Sequence, residues 1–97
     1  MKKIWKFEID ELGRTQIYNM PAGARILSYR SQSAKFCLWA LVAPEAAEES
    51  RIFVVYYTGD KIELYEGEEL QFIGTVMRSA QVYHCFEIIK TTRDNAT

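Results

Sequence analysis

Seven consecutive apolar residues run from Phe36 to Val42, and Pro44 follows them closely. Successive side chains of a β-strand point to opposite faces, and here both faces would be apolar. One phase holds Cys37, Trp39 and Leu41, and the other holds Phe36, Leu38, Ala40 and Val42. The run is short for a helix, so it predicts a strand covered on both sides. We expect this strand in the middle of the core, with Trp39 buried.

A period of two recurs along most of the chain and predicts further strands. KIWKFEID alternates apolar and polar residues, and RTQIYNM could pair back on it as a hairpin. RIFVVYYTG is apolar on both phases and is expected beside the 36–42 strand. Other predicted strands are RILSYRSQ, LQFIGTVMRS, QVYHCFEIIK and a short KIELY. The fold class is therefore all-β: a small antiparallel β-sandwich or partly closed barrel of about seven short strands. At most one short helix is expected, near 44–49, where Pro44 precedes Ala and Glu residues.

Length and composition predict one β domain over residues 1–90 and a disordered tail at 91–97, which has no apolar anchor. The net charge of −1 argues against nucleic acid, because phosphate binding needs a concentrated positive surface. No apolar run approaches the roughly 20 residues that span a bilayer, and charges follow the basic start, so a cytoplasmic location is expected. Cys37 and Cys85 are predicted to be reduced and buried.

Catalytic and metal-binding signatures are missing from the sequence. His84, the one histidine, lies mid-strand, and Cys85 beside it would point to the opposite face. Zinc needs three or four ligands, and no serine lies on a G-x-S-x-G turn. We therefore predict no enzymatic activity, no metal and no cofactor, and a structural histidine is the simpler interpretation.

Two glycine–threonine pairs, at Thr58–Gly59 and Gly74–Thr75, could let a backbone approach a phosphate, although strand bends more often explain them. Aromatic rings and arginines could stack on a base and hold a pyrophosphate, or form a protein interface. They are Trp5, Tyr18, Tyr29, Tyr56, Tyr57 and Tyr83, with Arg25, Arg30 and Arg51. The candidate ligand- or partner-binding residues are Arg51, Tyr56, Tyr57, Thr58, Gly59, Asp60, Gly74, Thr75 and His84.

The segments MPAGARIL, CLWALV followed by PE, YTG, FIGTV and YHCFE together resemble a family of small uncharacterised bacteriophage proteins. The resemblance spans residues 2–88. Where that family commonly has glycine, threonine, glycine and histidine, this chain has Tyr57, Thr58, Gly59 and Asp60. Asp60 could still accept a hydrogen bond in place of the histidine.

This resemblance implies a phage or prophage accessory protein that acts inside the bacterial host. Small non-catalytic phage proteins often counter host defences, so the expected function is to bind and inhibit a host defence protein. One alternative is a sponge that sequesters a nucleotide-derived immune signal, and another is a structural or assembly accessory protein. Self-association as a homodimer is also expected, because a small antiparallel sheet leaves edges that a second copy can cover.

Overall fold

A computed structural model of the protein describes residues 1–91 and contains seven strands, as the sequence predicts. No helix occurs among the described residues. Near 44–49, where the sequence predicts at most one short helix, the chain forms a turn in which the Ala46 amide donates to the Ala43 carbonyl at 2.9 Å. The strands are β1 (Lys3–Ile9), β2 (Gly13–Pro21), β3 (Arg25–Gln32), β4 (Lys35–Val42), β5 (Glu48–Tyr57), β6 (Glu68–Arg78) and β7 (Gln81–Lys90). Apart from Thr91, the predicted tail at 91–97 lies outside the described residues.

The strands form two sheets, ordered β1-β4-β3 and β2-β5-β7-β6. Every neighbouring pair is antiparallel. The two sheets pack face to face and do not close into a barrel. The prediction of a small antiparallel all-β fold is confirmed, and of its two forms the structure adopts the sandwich.

Two predicted neighbour relations are wrong. β2 does not pair back on β1 but pairs with β5 in the other sheet. The 36–42 and 51–57 strands are not side by side either, because β4 and β5 belong to opposite sheets. Their inner side chains, such as Leu38 and Phe53, belong to one core cluster. An apolar pattern shows that a strand is covered, but not whether its neighbour lies beside it or across the sandwich.

Only one phase of β4 faces the core. Phe36, Leu38, Ala40 and Val42 are buried in the cluster between the sheets. Trp39 lies on the outer face and is only partly buried, so the expectation that it is a core residue is wrong. Cys37 shares that outer face yet is 1% exposed, because the neighbouring strands β1 and β3 flank it on both sides.

Both cysteines are buried and form no disulfide, as predicted. Cys37 lies in the three-stranded sheet and Cys85 in the four-stranded sheet. Burial raises the pKa of the Cys85 thiol to about 12, since a thiolate is poorly solvated there. Both thiols are therefore packing residues within this fold.

The connection from β5 to β6 crosses the four-stranded sheet. β7 lies between β5 and β6 and is antiparallel to both, so β5 and β6 run in the same direction. The chain must therefore return along the length of the sheet, and residues 58–67 do this without forming the strand predicted at KIELY. We call residues 58–67 the crossover segment.

Candidate functional site

Aromatic side chains lie on the outer face of the four-stranded sheet, away from the core. Phe72 of β6 pairs directly with Phe86 of β7, whereas Tyr56 of β5 pairs with His84 and lies diagonally from Phe86 on the same face. The ring centroids of Tyr56 and Phe86 are 6.2 Å apart, and those of Phe72 and Phe86 are 5.6 Å apart. Phe72 is 59% exposed, and Met77, further along β6, is 76% exposed. We call Tyr56, Phe72, Met77 and Phe86 the aromatic face.

His84 lies on the same outer face and contacts two threonine hydroxyls. Its Nε2 is 2.7 Å from Thr58 Oγ1, and its Nδ1 is 3.1 Å from Thr75 Oγ1. Neither contact is to a carboxylate of the kind that orients a catalytic imidazole. The arrangement ties the crossover segment to β6 and β7, and it also gathers three predicted site residues into one cluster next to Tyr56.

The turn at residues 57–60 explains Gly59 and Asp60. Gly59 has a φ of 93°, a left-handed conformation that favours glycine. The Tyr57 amide donates to Asp60 Oδ2 at 2.8 Å, and the Asp60 amide donates to the Tyr57 carbonyl at 3.1 Å. Asp60 is therefore a hydrogen-bond acceptor, as anticipated, and its partner is the turn itself.

Arg14 holds the crossover segment against the outer face. Its Nη1 and Nη2 donate to the two carboxylate oxygens of Glu68 at 2.9 and 2.8 Å, and Nη2 also reaches the Glu63 carbonyl at 3.4 Å. The guanidinium carbon lies 5.1 Å from the centre of the Tyr65 ring. Two parallel hydrogen bonds between a guanidinium and a carboxylate fix their relative orientation as well as neutralise their charges. Arg14 therefore positions the crossover segment relative to the sheet.

Glu68 makes stability depend on pH at the acidic end. Hydrogen bonds from Arg14, and then from the Tyr65 amide, lower the pKa of Glu68 from 4.5 to about 2. A carboxylate with a lowered folded-state pKa stabilises the fold above its unfolded pKa. That contribution is lost as the pH falls from about 4.5 towards 2.

We therefore expect the stability advantage of wild type over Glu68→Gln to shrink across this pH range. Denaturant midpoints measured for both proteins at pH 7, 4 and 2.5 test it. An advantage of equal size at all three pH values would contradict the assignment of Arg14 as the partner.

Arg51, predicted as a phosphate ligand, lies on the inner face instead. Its Nε and Nη2 donate to the two oxygens of Glu87 at 2.7 and 2.8 Å, and Nη1 donates to the Ala24 carbonyl at 2.6 Å. The two side chains are 16% and 10% exposed. Arg51 and Thr58 are seven residues apart along an extended chain, about 23 Å. The guanidinium is thus committed to Glu87 and remote from the His84 cluster.

The remaining predicted residues also separate. Gly74 follows a β-bulge in β6 and approaches Tyr29 of the other sheet, in agreement with the strand-bend interpretation. Tyr57 faces inward and packs on Tyr83, with ring centroids 5.1 Å apart. The structure therefore brings together Tyr56, Thr58, Thr75 and His84, and leaves Arg51, Tyr57 and Gly74 on the inner side.

Sequence reasoning missed Phe72, Met77 and Phe86. Their signal was present, because Phe72, Met77 and Phe86 are apolar residues on the phase that lies opposite the core-facing one, where a solvated face would be polar. The role of Arg14 had no local signal, since its partner lies 54 residues away.

The described residues, 1–91, contain neither a metal-ligand cluster nor a helix that could span a membrane. No cluster of three or more histidine, cysteine, aspartate or glutamate side chains in this part of the chain could hold a metal ion. No helix within the same residues is long and apolar enough to cross a membrane.

The fold and site together define a small all-β sandwich protein with an aromatic outer sheet face and a histidine held by threonines. The chain belongs to the family described as "Domain of unknown function (DUF7352)", which matches residues 1–95. Neither the curated proteins nor the solved structures contain a match to this chain.

Proposed function

We propose that this is a non-catalytic phage or prophage accessory protein that binds and inhibits a host protein through the aromatic face. Five of the ten exposed large hydrophobic side chains among the described residues lie on β6 or on the crossover segment. They are Ile62, Leu64, Tyr65, Phe72 and Met77. Phe72 and Met77 belong to the aromatic face itself, and exposed apolar side chains gathered on one face mark interaction surfaces, whereas scattered ones do not.

The chemistry of this face suits a protein partner. Aromatic and methionine side chains are enriched at the centres of protein interfaces, and few such residues carry most of the binding energy. Phe72 packs on Phe86, so much of its conformational freedom is already lost before a partner binds. The Arg14–Glu68 pair and the His84 contacts fix the loop that borders the face.

The inhibitory role and the phage setting rest on the motif resemblance at residues 2–88. Proteins of that kind act in the cytoplasm of the bacterial host, where a defence component is the expected partner. Among residues 1–91, the side-chain partners of His84 are two threonine hydroxyls and no carboxylate, which supports a protein that acts by binding and not by turnover.

Phe72→Asp is expected to abolish capture of the partner while the fold is retained. Phe72 is exposed, so the substitution places a charge where a partner must desolvate it and disturbs no core packing. Tagged wild type and variant are incubated with bacterial lysate, and a partner recovered in stoichiometric amount is quantified. Leu12→Asp, an exposed leucine in the β1–β2 turn, is the matched control and should capture normally. Equal recovery with Phe72→Asp would contradict the proposal.

A nucleotide sponge is the second candidate, and the cluster of Tyr56, Thr58, Thr75 and His84 favours it. A ring beside hydroxyl and imidazole groups is chemistry that can stack on a base and hydrogen-bond its edge. A panel of cyclic and ADP-ribose-type nucleotides separates the two candidates by thermal unfolding. A true ligand at a hundred times its dissociation constant adds about 2.7 kcal/mol of stability. The inhibitor proposal expects no shift, whereas a shift that His84→Ala removes would replace it with the sponge.

A further inference from the structure

The edge of β1 differs from the other three sheet edges. β2, β3 and β6 each contain a bulge, which disrupts the ladder and discourages pairing with another chain. The β2 edge also ends at Pro21, and β3 packs against β6 of the other sheet. β1 is regular, with all seven residues, Lys3 to Ile9, in unbroken register with β4.

The charges of β1 are divided about Phe7. Lys3 and Lys6 precede it, and Glu8 and Asp10 follow it. Lys6 and Glu8 are exposed on the outer face of the sheet, whereas Trp5 and Phe7 are half-buried and pack against the core from this edge. When two copies of such a strand pair antiparallel, the positive half of each copy lies opposite the negative half of the other.

We propose that β1 pairs with β1 of a second copy of this chain, antiparallel, about a two-fold axis at Phe7. This register places Lys6 opposite Glu8 of the second copy, and Glu8 opposite its Lys6. On the inner face, Phe7 meets Phe7 and Trp5 meets Ile9. The three-stranded sheets then join as one six-stranded sheet in the order β3-β4-β1-β1-β4-β3. The surface is distinct from the aromatic face, so this inference does not depend on the proposed function.

The charges select this register over its neighbours. Side chains directly opposite in an antiparallel pair share a face, so a two-fold axis must pass at a residue of the strand. An axis at Lys6 would place Lys6 against Lys6, and an axis at Glu8 would place Glu8 against Glu8. Like charges directly opposite are destabilising, so only the axis at Phe7 pairs opposite charges at both positions.

The contacts that Lys6 and Glu8 make within one chain are weak enough for both side chains to pair with a second copy. Lys6 Nζ donates to Gln32 Oε1 at 2.8 Å, and Glu8 lies 3.9 Å from Lys35 Nζ. Both contacts are on the exposed outer face, where such pairs in water contribute little.

Charge reversal tests the interface directly, with sedimentation velocity as the measurement of self-association. Lys6→Glu puts two acidic side chains opposite each other, and Glu8→Lys puts two basic ones opposite. Each single variant is expected to associate at least tenfold more weakly than the wild-type dimer. Lys61→Glu and Glu63→Lys reverse an exposed pair with the same spacing on the crossover segment and should leave the dimer unchanged.

Complementation distinguishes this interface from a general effect of charge. The double variant Lys6→Glu/Glu8→Lys restores opposite charges at both positions and is expected to dimerise again. An equimolar mixture of the two single variants is expected to form a heterodimer, since each chain then opposes the other's charge. Circular dichroism checks that all variants keep the β fold. A monomeric wild type, unchanged single variants, or a mixture that stays monomeric would each overturn the proposal.

Discussion

Replacing Phe53 with alanine is expected to lower the free energy of unfolding by about 3–5 kcal/mol. Phe53 is 0% exposed and lies on the inner face of β5. Truncation removes its apolar contacts and leaves a cavity that close-packed neighbours fill only in part. The Arg51 guanidinium carbon lies 5.8 Å from the centre of the Phe53 ring, so removing the ring also removes packing against the Arg51–Glu87 pair.

Trp39→Ala is the matched comparison, because it removes a larger ring from the outer face of β4. Trp39 is only partly buried, so its loss should cost clearly less than that of Phe53. Urea unfolding of both variants at 25 °C gives the two free energies. A larger cost for Trp39 would mean that its face of β4 is covered, and the assignment of the core would fail.

Removing the carboxylate of Glu87 is expected to destabilise the protein by about 3 kcal/mol. Glu87→Ala deprives the largely buried Arg51 guanidinium of both charge-assisted hydrogen bonds and leaves only the bond to the Ala24 carbonyl. An uncompensated charge in this position cannot be solvated as it is in water. Urea unfolding at pH 7 measures the loss.

The double variant Arg51→Met/Glu87→Leu is expected to recover much of that loss, because an apolar pair needs no partner charge. Glu69→Ala, which truncates an exposed glutamate on β6, should change stability by less than about 0.5 kcal/mol. If Glu87→Ala were as mild as this control, the ion pair would be worth no more than a surface contact. If the double variant were as unstable as the single one, packing and not charge would explain the loss.

The sequence predicted a segment for each of the seven strands, because the pattern of apolar residues along a strand is a local property. It could not decide which phase of residues 36–42 faces the core, since both phases are apolar and only the position of the second sheet distinguishes them. It also could not place the crossover segment, whose path depends on Arg14, far from it in sequence. KIELY has the composition of a strand, but residues 61–65 form no strand in the structure.

The candidate site was predictable in part for the same reason. The residue types and motifs of Thr58, Thr75 and His84 predict binding residues, and strand pairing brings the three side chains together. An arginine beside aromatic residues is typical of a phosphate site, yet the pairing of β5 with β7 places Glu87 within reach of Arg51. A buried partner on another strand carries no signal in the residues around Arg51.

The position of β7 has a consequence for how the protein is made. It is the last strand among residues 1–91, yet it lies between β5 and β6 and supplies the partner that each requires. Until residues 81–90 have left the ribosome, β6 has no strand to pair with in its own sheet and β5 has only β2. The four-stranded sheet therefore assembles only after β7 has been synthesised, and its contacts join distant parts of the chain. Such non-local pairing is slow to form, so the nascent chain exposes its apolar strands for longer than a sheet built from consecutive hairpins would.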